Sequence, residues 1–191
     1  MRRLTLALLL ACLPAAKGRA GQGGIGDPAP PLNLRHWVNS TPLEMSSLRG
    51  KVVLIRWWTD GCSLCENTAP ALHHLQQKYA AQGLEIIGVF HPKPAGDWNV
   101  DRVRRAAERL GFTFPVALDA DWTALRRWWL NGHPRDWTSV SFLVDKHGVI
   151  RLVHPGGEFH EGQDGASHEA CRRDYRQIEE TIQRLLAERN P

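Results

Sequence analysis

The chain has 191 residues, 42% of them hydrophobic and 23% charged, which suits one domain with a substantial core. Its 24 Lys and Arg residues exceed its 20 Asp and Glu residues by four, and residues 1–20 hold four of the cations and no acid. The remainder is therefore balanced before histidine is counted, and the basic composition gives no support for nucleic-acid binding.

Residues 1–20 have the pattern of a secretory signal peptide. A short basic start, Met1 to Arg3, precedes an apolar stretch over 4–16 that is too short to span a bilayer as a permanent helix. Small residues at Gly18 and Ala20 suit cleavage after Ala20. The pattern predicts an exported protein of the periplasm or cell envelope, a compartment in which thiol chemistry must be driven.

The same segment permits a second interpretation. Leu9-Leu10-Ala11-Cys12 resembles a bacterial lipobox, in which Cys12 would carry a lipid anchor and become the new N-terminus. Residues 21–31 are rich in Gly and Pro and lack periodicity, which predicts a linker. The folded domain is then expected over 32–191.

Strand and helix patterns alternate along that domain. A short antiparallel lead-in is predicted from Leu32–Leu34 and Pro42–Glu44, and Pro70 should kink the first helix. The predicted strands cover 51–58, 84–90, 114–118, 140–144 and 149–154. The predicted helices cover 62–81, 99–110, 122–130 and 174–188. This order predicts an α/β fold whose sheet is parallel at first and ends in an antiparallel hairpin.

Two cysteines stand two residues apart where the central strand meets the first helix. The turn Asp60-Gly61 closes the strand and places Cys62 at or just before the first helical turn. Unpaired N–H groups and the positive end of the helix dipole favour a thiolate there. Because a thiolate attacks disulfides, and Cys65 one turn later can displace the product, the pattern predicts a redox pair.

Two other interpretations of the pair are open. It could be half of a zinc site, which needs further ligands, and the sequence has no second C-x-x-C. It could also be an inert structural disulfide. The strand before the pair and the helix after it favour redox chemistry over both.

These features together resemble the thioredoxin superfamily, in particular the exported TlpA/ResA-like thiol–disulfide oxidoreductases of the redoxin or AhpC/TSA-like kind. Trp58, four residues before Cys62, stands where that family keeps a Trp, and Pro70 matches its helix-kinking proline. Residues 142–148 resemble its late hairpin. The resemblance implies a thioredoxin-like fold, a central mixed β-sheet flanked by helices, with a short N-terminal β extension. It also implies that Cys62 is the nucleophile and Cys65 the resolving thiol.

The resemblance further implies that the protein reduces disulfides of cysteine-containing client proteins. Trp57, Trp58 and the loop 138–140 would form the contact surface for clients. A membrane protein would supply electrons, and neither a cofactor nor a metal ion is expected.

Three positions depart from the family pattern. Ser139 stands where the family has a cis-proline, so the loop is either trans or strained, since a cis bond there costs about 3–4 kcal/mol. Arg56 replaces an Asp or Asn that assists proton transfer; it either stabilises the thiolate or belongs to a structural ion pair. The dipeptide Ser63-Leu64 does not indicate a redox direction.

Two other functions compete with disulfide exchange. Thr59, three residues before Cys62, stands where peroxiredoxins place a Thr that orients peroxide, although Ile55 replaces their proline. A thiol peroxidase is therefore one alternative. A metal-binding or chaperone module is the other, with both cysteines and one distant histidine as ligands, from His36, His91 or His133.

Potential metal ligands are dense between residues 154 and 174, although their spacing matches no named site. One interpretation is a solvated loop that caps the sheet edge, with Cys171 as a lone packed thiol. The other is that Cys171 faces the redox pair and takes part in its chemistry. His91, at the carboxyl end of the second strand, is expected to line the site or to anchor a turn.

Overall fold

A computed structural model describes residues 23–96, 98–135, 137–162 and 168–190. The predicted signal peptide over 1–20 and the lipobox ending at Cys12 lie outside the described residues. Within the described ranges, no helix combines the length and the apolar character needed to cross a membrane.

One mixed sheet forms the centre of the domain. Its strands are β1 Trp37–Val38, β2 Val52–Trp58, β3 Leu84–Phe90, β4 Val116–Leu118, β5 Ser141–Val144 and β6 Ile150–His154. They lie in the order β1-β4-β3-β2-β5-β6. β2, β3 and β4 are parallel, whereas β1, β5 and β6 pair antiparallel with their neighbours. The predicted mixed sheet is thereby confirmed.

Helices flank this sheet. They are α1 Ser63–Tyr79, α2 Val100–Arg109, α3 Thr123–Leu125 and α4 Glu169–Ala187. Short 3-10 turns cover Met45–Leu48 and Ala80–Gln82, and a π turn, Arg126–Leu130, continues α3. The helix predicted over 122–130 is therefore confirmed within one residue, although its second half is a π-helix. The last helix begins five residues earlier than predicted, at Glu169.

The N-terminal lead-in differs from its prediction. Leu32–Leu34 and Pro42–Glu44 form no strands; instead the two residues of β1 pair with β4 at the sheet edge. Asn39 ends this strand because its φ of 67° is in the left-handed region. Its side-chain amide donates to the carbonyls of Phe112 and Phe114 at 2.8 and 3.1 Å, which holds the segment against the domain.

β2 lies at the centre of the sheet, with all seven residues buried. Its side chains alternate between two core layers, so Trp57 packs with Trp128 and Phe142 while Trp58 packs with Phe90. Trp57 and Trp58 are only 0% and 1% exposed. The prediction that they form a contact surface is therefore wrong, because both faces of the sheet are covered here.

The Gly/Pro-rich segment before the domain is hydrogen-bonded to the late hairpin. Gly26 N–H donates to the Ile150 carbonyl at 2.8 Å, and Ile150 N–H donates to the Asp27 carbonyl at 3.0 Å. Ala29 N–H donates to the Gly148 carbonyl at 2.9 Å. Residues 26–29 thus pair with the start of the edge strand β6.

Candidate functional site

The turn between β2 and α1 sets the position of the first cysteine. Gly61 adopts a φ of 67°, which glycine tolerates without strain. The Asp60 carboxylate accepts two hydrogen bonds from Arg102 of α2, at 2.9 and 3.1 Å, and so fixes the turn. Cys62 is then the N-cap of α1, and its carbonyl accepts the Cys65 N–H at 3.0 Å. Its sulfur lies at the positive end of the helix, as predicted.

The two sulfur atoms lie 2.8 Å apart, and the Cys65 thiol donates to Cys62. Cys62 is half-buried, whereas Cys65 is 2% exposed. The hydrogen bond from the Cys65 thiol is the main cause that lowers the pKa of Cys62 to about 5, against the opposing effect of burial. The same hydrogen bond, together with burial, raises the pKa of Cys65. The pair therefore consists of an accessible thiolate beside a buried thiol.

Ser139 lies directly against this pair. Its hydroxyl is 3.2 Å from the Cys65 sulfur and also lowers the pKa of Cys62. The peptide bond before Ser139 is trans, which is the first of the two predicted options. The next residue, Val140, accepts the Trp57 N–H through its carbonyl at 2.9 Å and joins the loop to β2.

His91 holds the loop that carries Ser139. Its Nε2 lies 2.8 Å from the Thr138 hydroxyl, and its backbone N–H donates to the Trp58 carbonyl at 2.9 Å. Burial, with a contribution from Lys93, lowers the pKa of His91 to about 3, so the ring is neutral at ordinary pH. Of the two expected roles, the structure supports the turn anchor.

Arg56 is buried next to the redox pair, with 1% exposed. It donates to the Ser141 hydroxyl at 3.1 Å and to the Gly157 carbonyl at 2.7 Å, and it lies 5.4 Å from the centroid of the Phe159 ring. Burial lowers its pKa, and both cysteines oppose that effect, Cys65 more strongly. No carboxylate among the described residues forms an ion pair with Arg56, so its charge faces the redox pair, in which Cys62 is the thiolate.

The other two predicted site residues support the pair from within the core. Thr59 is 5% exposed, and its backbone N–H donates to the Cys65 sulfur and lowers the pKa of that thiol. Trp58 packs edge-on against Phe90 and Phe112, with ring centroids 5.1 Å apart in each case. Trp58 therefore packs in the core beneath α1 and is not available for contact with a client protein.

Sequence analysis missed one surface residue. Trp137 is 55% exposed and lies two positions before Ser139. Its carbonyl accepts the Trp129 indole N–H at 2.7 Å, which fixes the backbone of the loop. A tryptophan in a loop next to the position of the family's cis-proline was the available signal.

A second group of chemically active side chains lies outside the redox pair. Glu158, His160, His168 and Cys171 place their ligand atoms within 4.8 Å of one another. In the part of the chain that the structure describes, this is the group with metal-binding geometry, and it includes neither cysteine of the redox pair. The Cys171 sulfur lies 3.7 Å from a Glu158 oxygen.

The chain is similar to curated proteins over part of their length. It is 32% identical to Protein DipZ of Mycobacterium tuberculosis over 158 residues, which cover 81% of this chain and 20% of DipZ. It is 30% identical to the thiol-disulfide oxidoreductase ResA of Halalkalibacterium halodurans over 115 residues, or 60% of each chain. The chain thus spans a fifth of the first relative and three fifths of the second.

Solved structures and a family profile complete the comparison. A Chlorobium tepidum protein, provisionally named as the thiol:disulfide interchange protein DsbE, matches with a TM-score of 0.66 and 24% identity, covering 86% of this chain and 99% of that one. Thioredoxin-like proteins match similarly, which confirms the expected thioredoxin-like fold. The profile of the AhpC/TSA family matches residues 25–153, which hold the whole sheet up to β6 and the redox pair. On this evidence the chain belongs to the AhpC/TSA family.

Proposed function

We propose that this protein is an exported thiol–disulfide oxidoreductase that reduces disulfides of cysteine-containing client proteins. The observation that carries the proposal is the division of the redox pair into a half-exposed Cys62 of low pKa and a buried, protonated Cys65. An attacking thiol needs the first property, and a resolving thiol that must not react early needs the second.

The proposed cycle has two exchanges. The Cys62 thiolate attacks one sulfur of a client disulfide; a mixed disulfide forms, and the other client sulfur leaves as a thiolate. Cys65 then gives up its proton and attacks the Cys62 sulfur. The Cys62–Cys65 disulfide forms, and the second client sulfur leaves and takes up a proton. Two electrons pass from the pair to the client.

Arg56, Ser139 and Thr59 assist the second exchange in this proposal. A buried thiolate at Cys65 is costly unless a cation and hydrogen-bond donors face it. Arg56 supplies the charge, and the Ser139 hydroxyl and the Thr59 N–H supply hydrogen bonds. Because a guanidinium does not accept a proton, Arg56 acts by its field and not as the proton acceptor that an Asp would be.

The exposed Trp137 is the proposed contact for clients. It lies two residues before Ser139, on the loop that meets the Cys65 sulfur, and its exposed ring is available to a client segment. An exposed aromatic side chain offers a large apolar contact without demanding a particular client sequence.

Export and electron supply complete the proposal. The segment 1–20 would direct the chain to the periplasm or cell envelope, where cleavage after Ala20 or lipidation at Cys12 would release or anchor the domain over 32–191. Outside the cytosol the oxidised pair needs a membrane electron donor to return to the dithiol.

One observation favours the opposite direction, the oxidation of client dithiols. Stabilising the Cys62 thiolate stabilises the reduced form of the pair, which makes the disulfide a stronger oxidant. The buried Arg56 acts in the same sense. Reduction remains the proposal because the TlpA/ResA-like proteins that the chain resembles mostly act as reductants.

A redox titration in glutathione buffers tests both. Tryptophan fluorescence would report the state of the pair, with Cys62→Ser as the control that must lack the transition. A two-electron transition at about −270 mV, the potential of thioredoxin, would support a reductant. A transition at about −120 mV would support an oxidant. A protein without any such transition would contradict disulfide exchange altogether.

A thiol peroxidase is the other candidate, favoured by the position of Thr59 three residues before Cys62. Thr59→Val should then strongly reduce hydrogen peroxide consumption and leave disulfide exchange intact. Equal loss of both activities would contradict the peroxidase, since it would show that Thr59 serves the fold of the pair.

A further inference from the structure

Four side chains of three chemical types converge beside α4. Glu158 and His160 come from the loop after β6, whereas His168 and Cys171 come from the start of α4, one helical turn apart. Their ligand atoms all lie within 4.8 Å of one another. Two imidazoles, a carboxylate and a thiol thus meet at one point, and all four are ligand types that zinc takes in proteins.

The distances within the group match those expected around a shared metal centre. His160 and His168 approach to 3.2 Å between ring nitrogens. Glu158 Oε1 lies 3.9 Å from each imidazole, and it accepts a hydrogen bond from the Cys171 thiol at 3.7 Å. Ligand bonds of about 2.0–2.3 Å to a tetrahedral zinc ion place the ligand atoms roughly 3.3–3.8 Å apart. These four separations, from 3.2 to 3.9 Å, lie close to that range, and all the ligand atoms lie within 4.8 Å of one another.

The surroundings orient the carboxylate and leave a path to the group. Asn67 of α1 donates to the other Glu158 oxygen at 2.6 Å, which leaves Oε1 facing the imidazoles and the thiol. Such support by a neighbouring side chain is typical of metal ligands. His160 is 5% exposed, so its ring is held in place. A cleft of about 290 Å³, lined by Asn67 and His160 among others, opens beside the group.

We propose that Glu158, His160, His168 and Cys171 bind a zinc ion. Imidazole, thiolate and carboxylate together suit zinc, whereas a thiolate disfavours magnesium and calcium. On binding, the Cys171 thiol loses its proton to solvent, a Zn–S bond forms, and no electron is transferred. One carboxylate and one thiolate then balance the two charges of the ion. With four protein ligands the site is structural, since no position is left open for a substrate.

The proposed ion would connect two parts of the fold. Arg56 donates a hydrogen bond to the carbonyl of Gly157, which directly precedes the ligand Glu158. The Phe159 ring, which packs against Arg56, lies between the ligands Glu158 and His160 in the sequence. Zinc would therefore join the loop that holds Arg56 to the first turn of α4.

Metal binding is best measured in the full chain with Cys62→Ser and Cys65→Ser, so that the redox pair cannot ligate the probe. After treatment with a chelator, Co²⁺ is titrated as a spectroscopic probe and then displaced by Zn²⁺. We expect one equivalent of Co²⁺, intense visible bands of a tetrahedral site and a sulfur-to-cobalt charge-transfer band. Adding Zn²⁺ should remove these bands and raise the thermal unfolding temperature.

The expected pattern among variants is specific. Cys171→Ser should abolish the charge-transfer band, and His168→Gln should weaken binding at least tenfold, whereas His147→Gln, at an exposed position in the β5–β6 turn, should change neither. Far-UV circular dichroism would show that each variant is folded, and His168→Gln decides the matter if Cys171→Ser does not fold. The proposal is overturned if no stoichiometric binding occurs, or if Cys171→Ser keeps the sulfur band. Because the variant with Cys62→Ser and Cys65→Ser lacks the redox pair, neither result bears on the proposed disulfide exchange.

Discussion

The Ser139 hydroxyl lies 3.2 Å from the Cys65 sulfur, at the position where TlpA/ResA-like proteins carry a cis-proline. A proline ring would offer no hydroxyl, so the loop here contributes polarity as well as shape. We expect Ser139→Ala to raise the pKa of Cys62 by less than one unit, because one hydrogen bond is worth about 1 kcal/mol. The pH dependence of iodoacetamide alkylation measures this pKa. Ser139→Thr, which keeps the hydroxyl, should restore it; equal pKa values in all three proteins would contradict the assignment.

The reduced wild-type protein should alkylate at Cys62 as a thiolate at neutral pH. The rate should fall as the pH decreases through about 5, where Cys62 takes up its proton. Because the folded pKa lies below that of an unfolded cysteine, about 8.5, thiolate formation stabilises the reduced fold. That contribution is lost as the pH falls through about 5 and is complete above about 8.5. Urea unfolding should show that the free energies of unfolding of the reduced protein and of Cys62→Ala diverge as the pH rises. If the two depend on pH in parallel, the Cys62 thiolate does not stabilise the fold.

The two cysteines should differ in what their variants accumulate. Cys65→Ser should trap mixed disulfides between Cys62 and clients, because the resolving thiol is absent. Cys62→Ser should trap none, since the Cys65 sulfur is buried. Non-reducing electrophoresis with a disulfide-containing protein substrate would reveal the adducts. The opposite pattern would assign the nucleophile to Cys65.

Arg56→Met should make the pair more reducing. The substitution removes the buried cation and keeps most of the packing against Phe159, so the reduced form loses stabilisation. The reduction potential should fall by about 30 mV for each tenfold loss of thiolate stabilisation. Arg105→Met, on the exposed side of α2, is the matched control and should leave the potential unchanged. A potential that is the same in Arg56→Met would show that Arg56 serves the loop at Gly157 alone.

Acid should weaken the oxidised fold through two buried histidines. Burial is the main cause that lowers the pKa of His91 to about 3 and that of His154 to about 4. Below about pH 6.5 the unfolded chain therefore binds more protons than the folded one, and the free energy of unfolding decreases as the pH falls. His91→Gln should flatten this dependence between pH 7 and 4.5, measured by urea unfolding, whereas the exposed His147→Gln should not. An unchanged slope in His91→Gln would exclude His91 as the cause.

The elements nearest the redox pair were predictable because their local patterns agree with their tertiary setting. β2 and β3 are continuous apolar runs, as buried parallel strands require, and the turn at Gly61 marks the entry to α1. The lead-in was not predictable, since a side-chain amide of Asn39 bonds residues more than seventy positions away. Burial of adjacent tryptophans on β2 was missed because only the layering of helices on both faces reveals it.

For the candidate site, too, local features could be predicted from the sequence, whereas contacts between distant segments could not. The role of Cys62 depends on its place at a helix start, which the sequence shows. The surroundings of Arg56 depend on Gly157, 101 positions later, and on the loop after β6, which has no periodic pattern. The convergence of the four proposed ligands likewise requires that this loop return to α4. The sequence therefore shows many potential ligands in this region but not which of them lie close together.

The pairing of residues 26–29 with the hairpin has a consequence for self-association. β6 is an edge strand, and exposed edge strands are templates for pairing with other chains. The backbone N–H of Gly26 and the carbonyl of Asp27 form hydrogen bonds with the carbonyl and the N–H of Ile150. Pro28 has no N–H that could donate to a strand of another chain. A short stretch whose composition suggests a connector thus blocks pairing with another chain at the beginning of this edge strand.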